Sequence, residues 1–311
     1  MNRWPARYER PKSYMQALTG VFVCLACSPD LPTIDPATHR AEIEEWQARR
    51  VEGLKRPDGW FSVVGLYWLE AGPNSFGSDS NNTLVFPPAA PARIGTFIRT
   101  GNSVEMNVEA GVPVTHEGNE VSSLAITSND PRRPTVARLG SFHWFVIERA
   151  DRIGIRLRDA AAPAIEAFDG IEMFPISLDW RIPARLDRYD PPKMIRIPNI
   201  IGTVSVQPSP GAVVWDIDGE ELRLDVTGDP NGERFSIVFG DRTNADETYG
   251  GGRFLTVNAP DEHGRMLIDF NRATNPPCAF TAFATCPLPP RQNHLSKRVE
   301  AGERVYKHSG H

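Results

Sequence analysis

The stretch that most constrains the fold is residues 269–290, DFNRATNPPCAFTAFATCPLPP, close to the C-terminal end of the chain. Its prolines fix the backbone angle φ and lack an N–H donor, so the stretch cannot form an ordinary helix or a central strand. Polar side chains and two cysteines are interleaved there with aromatic residues. This composition predicts a rigid, irregular loop, the kind of segment on which binding and catalytic sites are often built.

The remainder of the chain predicts a mainly β protein. Its 28 prolines and 25 glycines in 311 residues favour many turns over long helices. We expect many short antiparallel strands that form one or two packed sheets or barrels, with one N-terminal helix. The strands are predicted at residues 61–69, 93–99, 103–108, 121–127, 142–149, 153–158, 182–186, 201–206, 212–217, 221–226, 234–239, 253–257 and 266–270. Asp218-Gly219 predicts a two-residue hairpin turn.

The N-terminal helix is predicted over about residues 36–53. Asp35 is a good N-cap and Pro36 suits the first helical position. Ile43, Trp46 and Leu54 then fall roughly on one face, which predicts burial of that face. The charged residues of the helix are expected to be solvated.

Residues 1–27 predict a lipoprotein-like signal peptide. Basic residues between positions 3 and 12 precede an apolar run over residues 15–26, which is too short to span a bilayer. The run ends in Leu25-Ala26-Cys27-Ser28, which resembles a bacterial lipobox with Cys27 as the lipidated residue, although Cys24 replaces the usual leucine. The true start is left open between Met1 and Met15.

This signal predicts a location in the cell envelope. We expect the mature chain to be anchored in the membrane by a lipid on Cys27 and to face the periplasm. The alternative is a plain secretory signal, which gives a secreted or soluble periplasmic protein. The net charge of −5 comes from interspersed acids and bases, so nucleic acid is excluded as a partner.

Asp190-Pro191-Pro192 is the best candidate for a domain boundary. It divides the mature chain into residues 28–190, a helix and a β-rich half, and residues 191–311, a β-rich half that contains the proline-rich loop. The alternative is one continuous domain.

Two cysteines remain outside the signal peptide, Cys278 and Cys286. An oxidising compartment favours a disulfide between them. A metal-thiolate pair and two buried thiols are the alternatives. No CxxC or histidine-rich spacing accompanies the pair, so no metal site is predicted.

Several motifs together resemble the bacterial DUF1684 family. They are GWFSVVGLYWL at 59–69, DRT at 241–243, TYGGGRFL at 248–255 and the stretch 269–290. The resemblance runs from about residue 40 to the C-terminus, with Thr274 at a position where an aromatic residue is expected. No established activity comes with the family, so the resemblance implies neither a reaction nor a cofactor.

A glycine-rich turn predicts an anion site. Gly250, Gly251 and Gly252 allow the backbone to turn its N–H groups inward, and Arg253 directly after them adds a guanidinium. We therefore predict that these residues bind a small anionic ligand, such as a phosphate or carboxylate, with Tyr249 at the flank. The alternative is a hairpin loop in front of a strand.

Two carboxylates follow predicted strands and are candidate acid–base groups. Asp241 and Asp269 are predicted to meet at one rim with Tyr249 as catalytic groups, and Asn271 is predicted to contact the ligand. Glu303 is a third carboxylate near the motif. The structural alternative is that Asp241 caps a turn through Thr243 and that Asp269 pairs with Arg272 or Arg253.

Three functions are compatible with these features. The first is a hydrolase that acts on a polar anionic small molecule of the cell envelope. The alternative is an envelope lipoprotein that binds such a ligand without catalysis. The third is a structural envelope protein whose motif only holds the loop rigid. The sequence contains no nucleophile or metal signature that selects the first, and it indicates no cofactor.

Overall fold

The computed structural model describes residues 33–127 and 133–307. The predicted signal peptide and its Cys27 lie outside the described residues. Within them the chain is mainly β, with several antiparallel sheets, one N-terminal helix and no closed barrel, which confirms the predicted fold class. No helix in the described residues is long and apolar enough to cross a membrane.

Helix α1 spans Pro36–Lys55, and the side chain of Asp35 accepts a hydrogen bond from the N–H of Thr38 at 3.0 Å. This is the predicted N-cap. A second, short helix α2 spans Pro163–Ala167. Single 3₁₀ turns occur at Trp60–Ser62, Leu178–Trp180, Phe270–Arg272, Pro277–Ala279 and Arg291–Asn293.

The first half contains eleven strands among the described residues; six coincide with predicted strands and the other five were not predicted. The eleven strands are β1 Val63–Trp68, β2 Gly72–Gly77, β3 Leu84–Val85, β4 Gly95–Thr100, β5 Ser103–Val108, β6 Thr115–His116, β7 Asn119–Glu120, β8 Ser123–Ile126, β9 Ala137–Leu139, β10 Phe142–Arg149 and β11 Arg152–Asp159. The second half contains β12 Arg181–Pro198, β13 Val204–Ile217, β14 Glu220–Asp225, β15 Arg234–Phe239, β16 Arg253–Asn258 and β17 Met266–Asp269.

The first eleven strands form two sheets around one hydrophobic core. One sheet has the order β1-β11-β10-β9-β6-β7 and the other has the order β3-β2-β4-β5-β8. Phe76, Phe97, Met106, Trp144 and Ile155 are completely buried between them. In β11 the side chains at 153, 155 and 157 face this core, as the alternation of the sequence predicted.

The last six strands enclose a second core. They form a four-stranded sheet, β14-β13-β12-β17, and a two-stranded sheet, β15-β16. Phe270, from the proline-rich motif, lies at the centre of this core. Its ring makes edge contacts with Trp180, Trp215 and Phe239 at centroid distances of 6.0, 5.6 and 5.5 Å. The motif is therefore part of the core as well as a loop.

The second half contains a predicted hairpin turn and the residues predicted as a domain boundary. Asp218 and Gly219 both have positive φ, 53° and 75°, and connect β13 to β14 as the predicted two-residue hairpin. Asp190-Pro191-Pro192, in contrast, lies inside the 18-residue strand β12, which is paired with β13 on both sides of a bulge between Arg188 and Lys193. The prolines occupy this bulge, where no ladder donor is needed.

Candidate functional site

A cavity lies between β16 and β17, and we call it the β16–β17 cleft. Its volume is about 590 Å³, within the usual range for small-ligand sites of about 300–1,000 Å³. Residues 254–258 of β16 form one wall, and Leu267 and Asp269 of β17 form the other. Glu42, Trp46 and Arg49 of α1 also line the cavity.

Arginines dominate the charge of the β16–β17 cleft. Arg49, Arg181, Arg234 and Arg272 line it together with two carboxylates, Glu42 and Asp269, so the lining carries a formal excess of two positive charges. Arg272 lies 3.9 Å from the nearest oxygens of both Glu42 and Asp269. Arg49 pairs with Glu45 one helical turn away.

Arg181 and Arg234 differ from the other two arginines. Neither makes a side-chain hydrogen bond or an ion pair with any of the described residues. Arg181 starts β12 opposite Asp269, and Arg234 starts β15 opposite Asn258. Arg181 is half-buried and Arg234 is exposed. Two guanidiniums without partners thus line one cavity.

Asp269 is held in place at the edge of the cleft. Its Oδ2 is 3.0 Å from Nε2 of His39 on α1. Its Oδ1 accepts hydrogen bonds from the backbone N–H and the side-chain amide of Asn271, at 3.1 and 2.8 Å. Asn271 is buried and also bonds both backbone groups of Ser177. Asn271 therefore holds the motif together and does not face the cleft.

Helix α1 is fixed over the motif by charged groups. Arg50 donates from Nε to Glu303 at 2.9 Å and from Nη2 to the carbonyl of Asn275 at 3.2 Å. Glu303 is completely buried and also accepts the N–H of Asn275 at 2.6 Å. Burial raises the pKa of the Glu303 carboxyl, and the charge of Arg50 opposes that rise. The expectation that the charged residues of α1 are solvated is wrong for Arg50, because it compensates this buried acid.

Arg253 and Asp241 form a buried ion pair. The Nη2 atom of Arg253 is 2.7 Å from Oδ2 of Asp241, and both side chains are fully buried. Arg253 also donates to the carbonyls of Val299 and Ala301. Burial lowers the pKa of Arg253, and Asp241 opposes this shift. Asp241 Oδ1 accepts hydrogen bonds from the N–H and the hydroxyl of Thr243 at 2.8 and 2.6 Å. This is the structural alternative predicted from the sequence, in which Asp241 caps a turn through Thr243.

The glycine-rich turn borders a second cavity of about 470 Å³. Tyr249, Gly250 and Gly251 line it, and Asp246 is its one charged lining residue. Burial raises the pKa of the Tyr249 hydroxyl. The third glycine, Gly252, has a φ of +85°, and a Cβ there would lie 2.4 Å from the ring of Pro289. Its lack of a side chain therefore accommodates the proline-rich loop.

The structure records Cys278 and Cys286 as free, so the predicted disulfide is absent from it. Both residues are buried. The N–H of Cys278 donates to Sγ of Cys286 at 3.0 Å, and the N–H of Cys286 donates to Sγ of Cys278 at 3.3 Å. A hydrogen bond from the Cys286 thiol lowers the pKa of Cys278, and the nearby Arg156 contributes in the same direction. This matches the two buried thiols that were an alternative in the sequence.

The predicted site residues thus occupy three places. Asp269 lies in the β16–β17 cleft, whereas Tyr249, Gly250 and Gly251 line the second cavity. Gly252, Asp241 and Arg253 are buried in the core beneath the turn. In the described residues, no group of three or more His, Cys, Asp or Glu side chains is placed to hold a metal ion.

Sequence reasoning missed most of the cleft. Trp46 and Arg49 come from α1, whereas Arg181 and Arg234 start two different strands, and none of the four belongs to a motif. An isolated arginine at the start of a strand gives no signal in a single sequence. Only the fold brings these residues together.

Comparison with known proteins supports the family resemblance. Residues 166–304 match the model of a family described as "Protein of unknown function (DUF1684)". The match confirms the predicted family, and this segment of the chain belongs to it. The segment includes β12–β17 and the whole proline-rich motif, whereas the resemblance noted in the sequence began near residue 40.

The chain is also similar to a solved structure. It is the solution NMR structure of an uncharacterized protein of Haloarcula marismortui, with 27% sequence identity and a TM-score of 0.38. The match covers 45% of this chain and 78% of that protein. Among curated proteins, none matches the chain.

Proposed function

We propose that this protein is an envelope lipoprotein that binds a polar anionic ligand in the β16–β17 cleft and does not catalyse a reaction on it. The observation that carries the proposal is the pair Arg181 and Arg234, which line a cavity of about 590 Å³ without an ion-pair partner among the described residues.

Unpaired guanidiniums favour an anion for a physical reason. Each guanidinium is charged at neutral pH and presents several donors in a planar fork, which matches a carboxylate or a phosphate. Arg181 is also half-buried, so its charge is less well solvated than that of a free side chain. An anion between the two arginines would satisfy both.

The second cavity is less well suited to an anion than the β16–β17 cleft. It contains the predicted glycine-rich turn, but its charged lining residue is the acid Asp246. Arg253, the cation expected there, is instead bound to Asp241 and two carbonyls inside the core. A ligand with negative charge is therefore better matched by the β16–β17 cleft.

Binding is favoured over hydrolysis because the candidate acids are already engaged. Asp241 is bound to Arg253 and Thr243, and Asp269 is bound to His39 and Asn271. His39, the histidine nearest the cleft, is 1% exposed. A general acid or base needs a free carboxylate or imidazole within reach of the substrate. Asp241 and His39 are buried, and Asp269 lines the cleft with both carboxylate oxygens already engaged.

The envelope location rests on the lipobox-like residues around Cys27. A lipid anchor there would place the cleft in the periplasm. Membrane partitioning tests this part separately: Cys27→Ser is expected to release the protein into the soluble fraction, and retention of the variant in the membrane would contradict the anchor.

A thermal-shift assay tests the cleft. Citrate, a compact tricarboxylate, serves as the probe, and glycerol serves as the neutral control. Citrate at about 100 times its Kd is expected to stabilise the wild-type protein by about 2.7 kcal/mol and to raise its Tm by several degrees. The double variant Arg181→Gln with Arg234→Gln is expected to lose this increase.

The matched control is Arg196→Gln. Arg196 is an exposed arginine of β12 outside the cleft, so this variant is expected to respond to citrate like the wild type. An equal response of all three proteins would show that citrate acts through general charge effects and would refute the site.

A further inference from the structure

We infer that the ligand of the β16–β17 cleft is an extended acidic peptide, which binds as an additional strand along an open strand edge of the cleft, that of β16. This inference rests on the proposed anion-binding function and names the class of ligand. It follows from the unpaired strand edges of the cleft and from its charge.

The two strands that form the walls are neighbours without being paired. β16 pairs with β15 on one side, and β17 pairs with β12 on one side. Residues 259–265 connect β16 directly to β17, a connection that usually joins two strands of a hairpin. Among the described strands, however, β16 and β17 share no ladder. Two open edges therefore face the same cavity.

The backbone groups of β16 are oriented towards this gap. Phe254 exchanges two hydrogen bonds of 2.8 Å with Thr274, on the side away from β15. Because backbone orientation repeats every second residue, the N–H and C=O groups of Thr256 and Asn258 also point away from β15. They have no ladder partner there, and both residues line the cleft.

The facing edge of β17 has the same property. Leu267 lies opposite Pro183 of β12, and proline has no N–H to donate. This arrangement favours a register in which Leu267 directs its own N–H and C=O away from β12 and towards the cleft. Asp269, two residues further along β17, is expected to direct its backbone N–H and C=O groups the same way. An extended peptide that pairs with β16 would add a strand to its sheet, as in β-strand addition, with the β17 edge on the other side of the cleft.

The charge of the cleft selects the kind of peptide. Arg181 and Arg234 lie on β12 and β15, the strands directly behind the two open edges, and both line the cleft. In a strand, alternate side chains point to the same face, so acidic residues at every second position would reach these guanidiniums. The basic N-terminal region of this chain, with Arg3, Arg7 and Arg10, has the wrong charge for this role.

The test uses the full chain and a labelled heptapeptide of alternating glutamate and valine, acetylated and amidated at its ends. Fluorescence anisotropy measures its Kd. We expect saturable binding that weakens at least tenfold when alternate amides of the peptide are N-methylated, since this removes backbone donors and keeps the charge. Replacement of the glutamates by lysine is expected to abolish binding.

A variant of the protein tests the same edge. Thr256→Pro removes an N–H that faces the cleft and leaves the β15 ladder intact, so it is expected to weaken peptide binding at least tenfold. Thr256→Val is the matched control, since Thr256 is exposed and valine keeps the N–H. Far-UV circular dichroism checks that both variants fold. If Thr256→Pro does not fold, the comparison of the N-methylated with the unmethylated peptide on the wild-type protein tests strand addition instead.

The outcomes separate the two proposals. If N-methylation has no effect, or if citrate binds and the peptide does not, strand addition is refuted and the anion-binding function stands. If neither citrate nor the peptide binds, both are refuted.

Discussion

At the scale of single residues, Arg253 shows how a buried charge holds the motif region together. Its guanidinium binds Asp241, Val299 and Ala301, and its side chain is fully buried. Removal of one member of such a pair leaves the other charge buried without compensation, which costs about 3–5 kcal/mol. Arg253→Met is therefore expected to lower the free energy of unfolding by about that amount.

Urea denaturation measures this loss, with Arg234→Met as the control. Arg234 is an exposed arginine of the adjacent strand, and its replacement is expected to change stability by less than about 0.5 kcal/mol. If Arg253→Met lowered the free energy of unfolding as little as Arg234→Met does, the buried ion pair would not stabilise the fold as described.

Local contacts of single residues could be predicted, whereas distant ones could not. The contact of Asp241 with Thr243 was foreseen because the two residues are close in sequence. The pairing of Asp241 with Arg253 depends on how β15 and β16 are placed in the fold. The cysteines show the same limit, because their spacing gives the chain length between them and not the relative direction of their Cβ atoms that a disulfide requires.

At the scale of secondary-structure elements, β10 contains a buried titratable group. His143 is 6% exposed and lies opposite Arg158 of β11. Burial lowers the pKa of His143 to about 4, and the charges of Arg138 and Arg158 add to the effect. The folded protein therefore keeps this imidazole neutral at pH values where the unfolded chain protonates it.

This shift predicts a loss of stability in acid. The unfolded pKa is near 6.5, so the contribution of His143 is fully present above pH 6.5 and is lost as the pH falls towards 4. Urea denaturation at pH 7.5 and pH 4.5 is expected to show that the wild type loses about 1–3 kcal/mol more than His143→Gln. An equal loss in both proteins would contradict a neutral buried His143.

Elements themselves were predicted well where the signal is local. The N-cap of α1 and the Asp218-Gly219 hairpin follow from neighbouring residues. The way in which α1 is attached to the rest of the fold does not follow from neighbouring residues. His39 and Arg50 bind Asp269 and Glu303, so polar contacts supplement the apolar face that the spacing of Ile43 and Leu54 indicated. Periodicity detects buried apolar faces and cannot identify charged residues that are buried with a partner.

At the scale of the whole molecule, the fold class was predictable and the position of the candidate site was not. Frequent turns and short alternating runs indicate an antiparallel β protein without reference to distant contacts. The β16–β17 cleft, in contrast, combines Trp46, Arg181, Arg234 and Asp269, which lie far apart in the chain. Its location depends on two neighbouring strands that do not pair, and this absence of pairing has no signature in the sequence.

Hydrogen exchange measured by mass spectrometry, with and without saturating citrate, tests the central claim most directly. If the anion binds in the β16–β17 cleft, backbone amides in residues 254–258 and 266–272 are expected to exchange more slowly with citrate, while those in residues 245–252 are unchanged. Slower exchange confined to residues 245–252 would assign the ligand to the glycine-rich turn. That result, or the absence of any change in the cleft strands, would contradict the account.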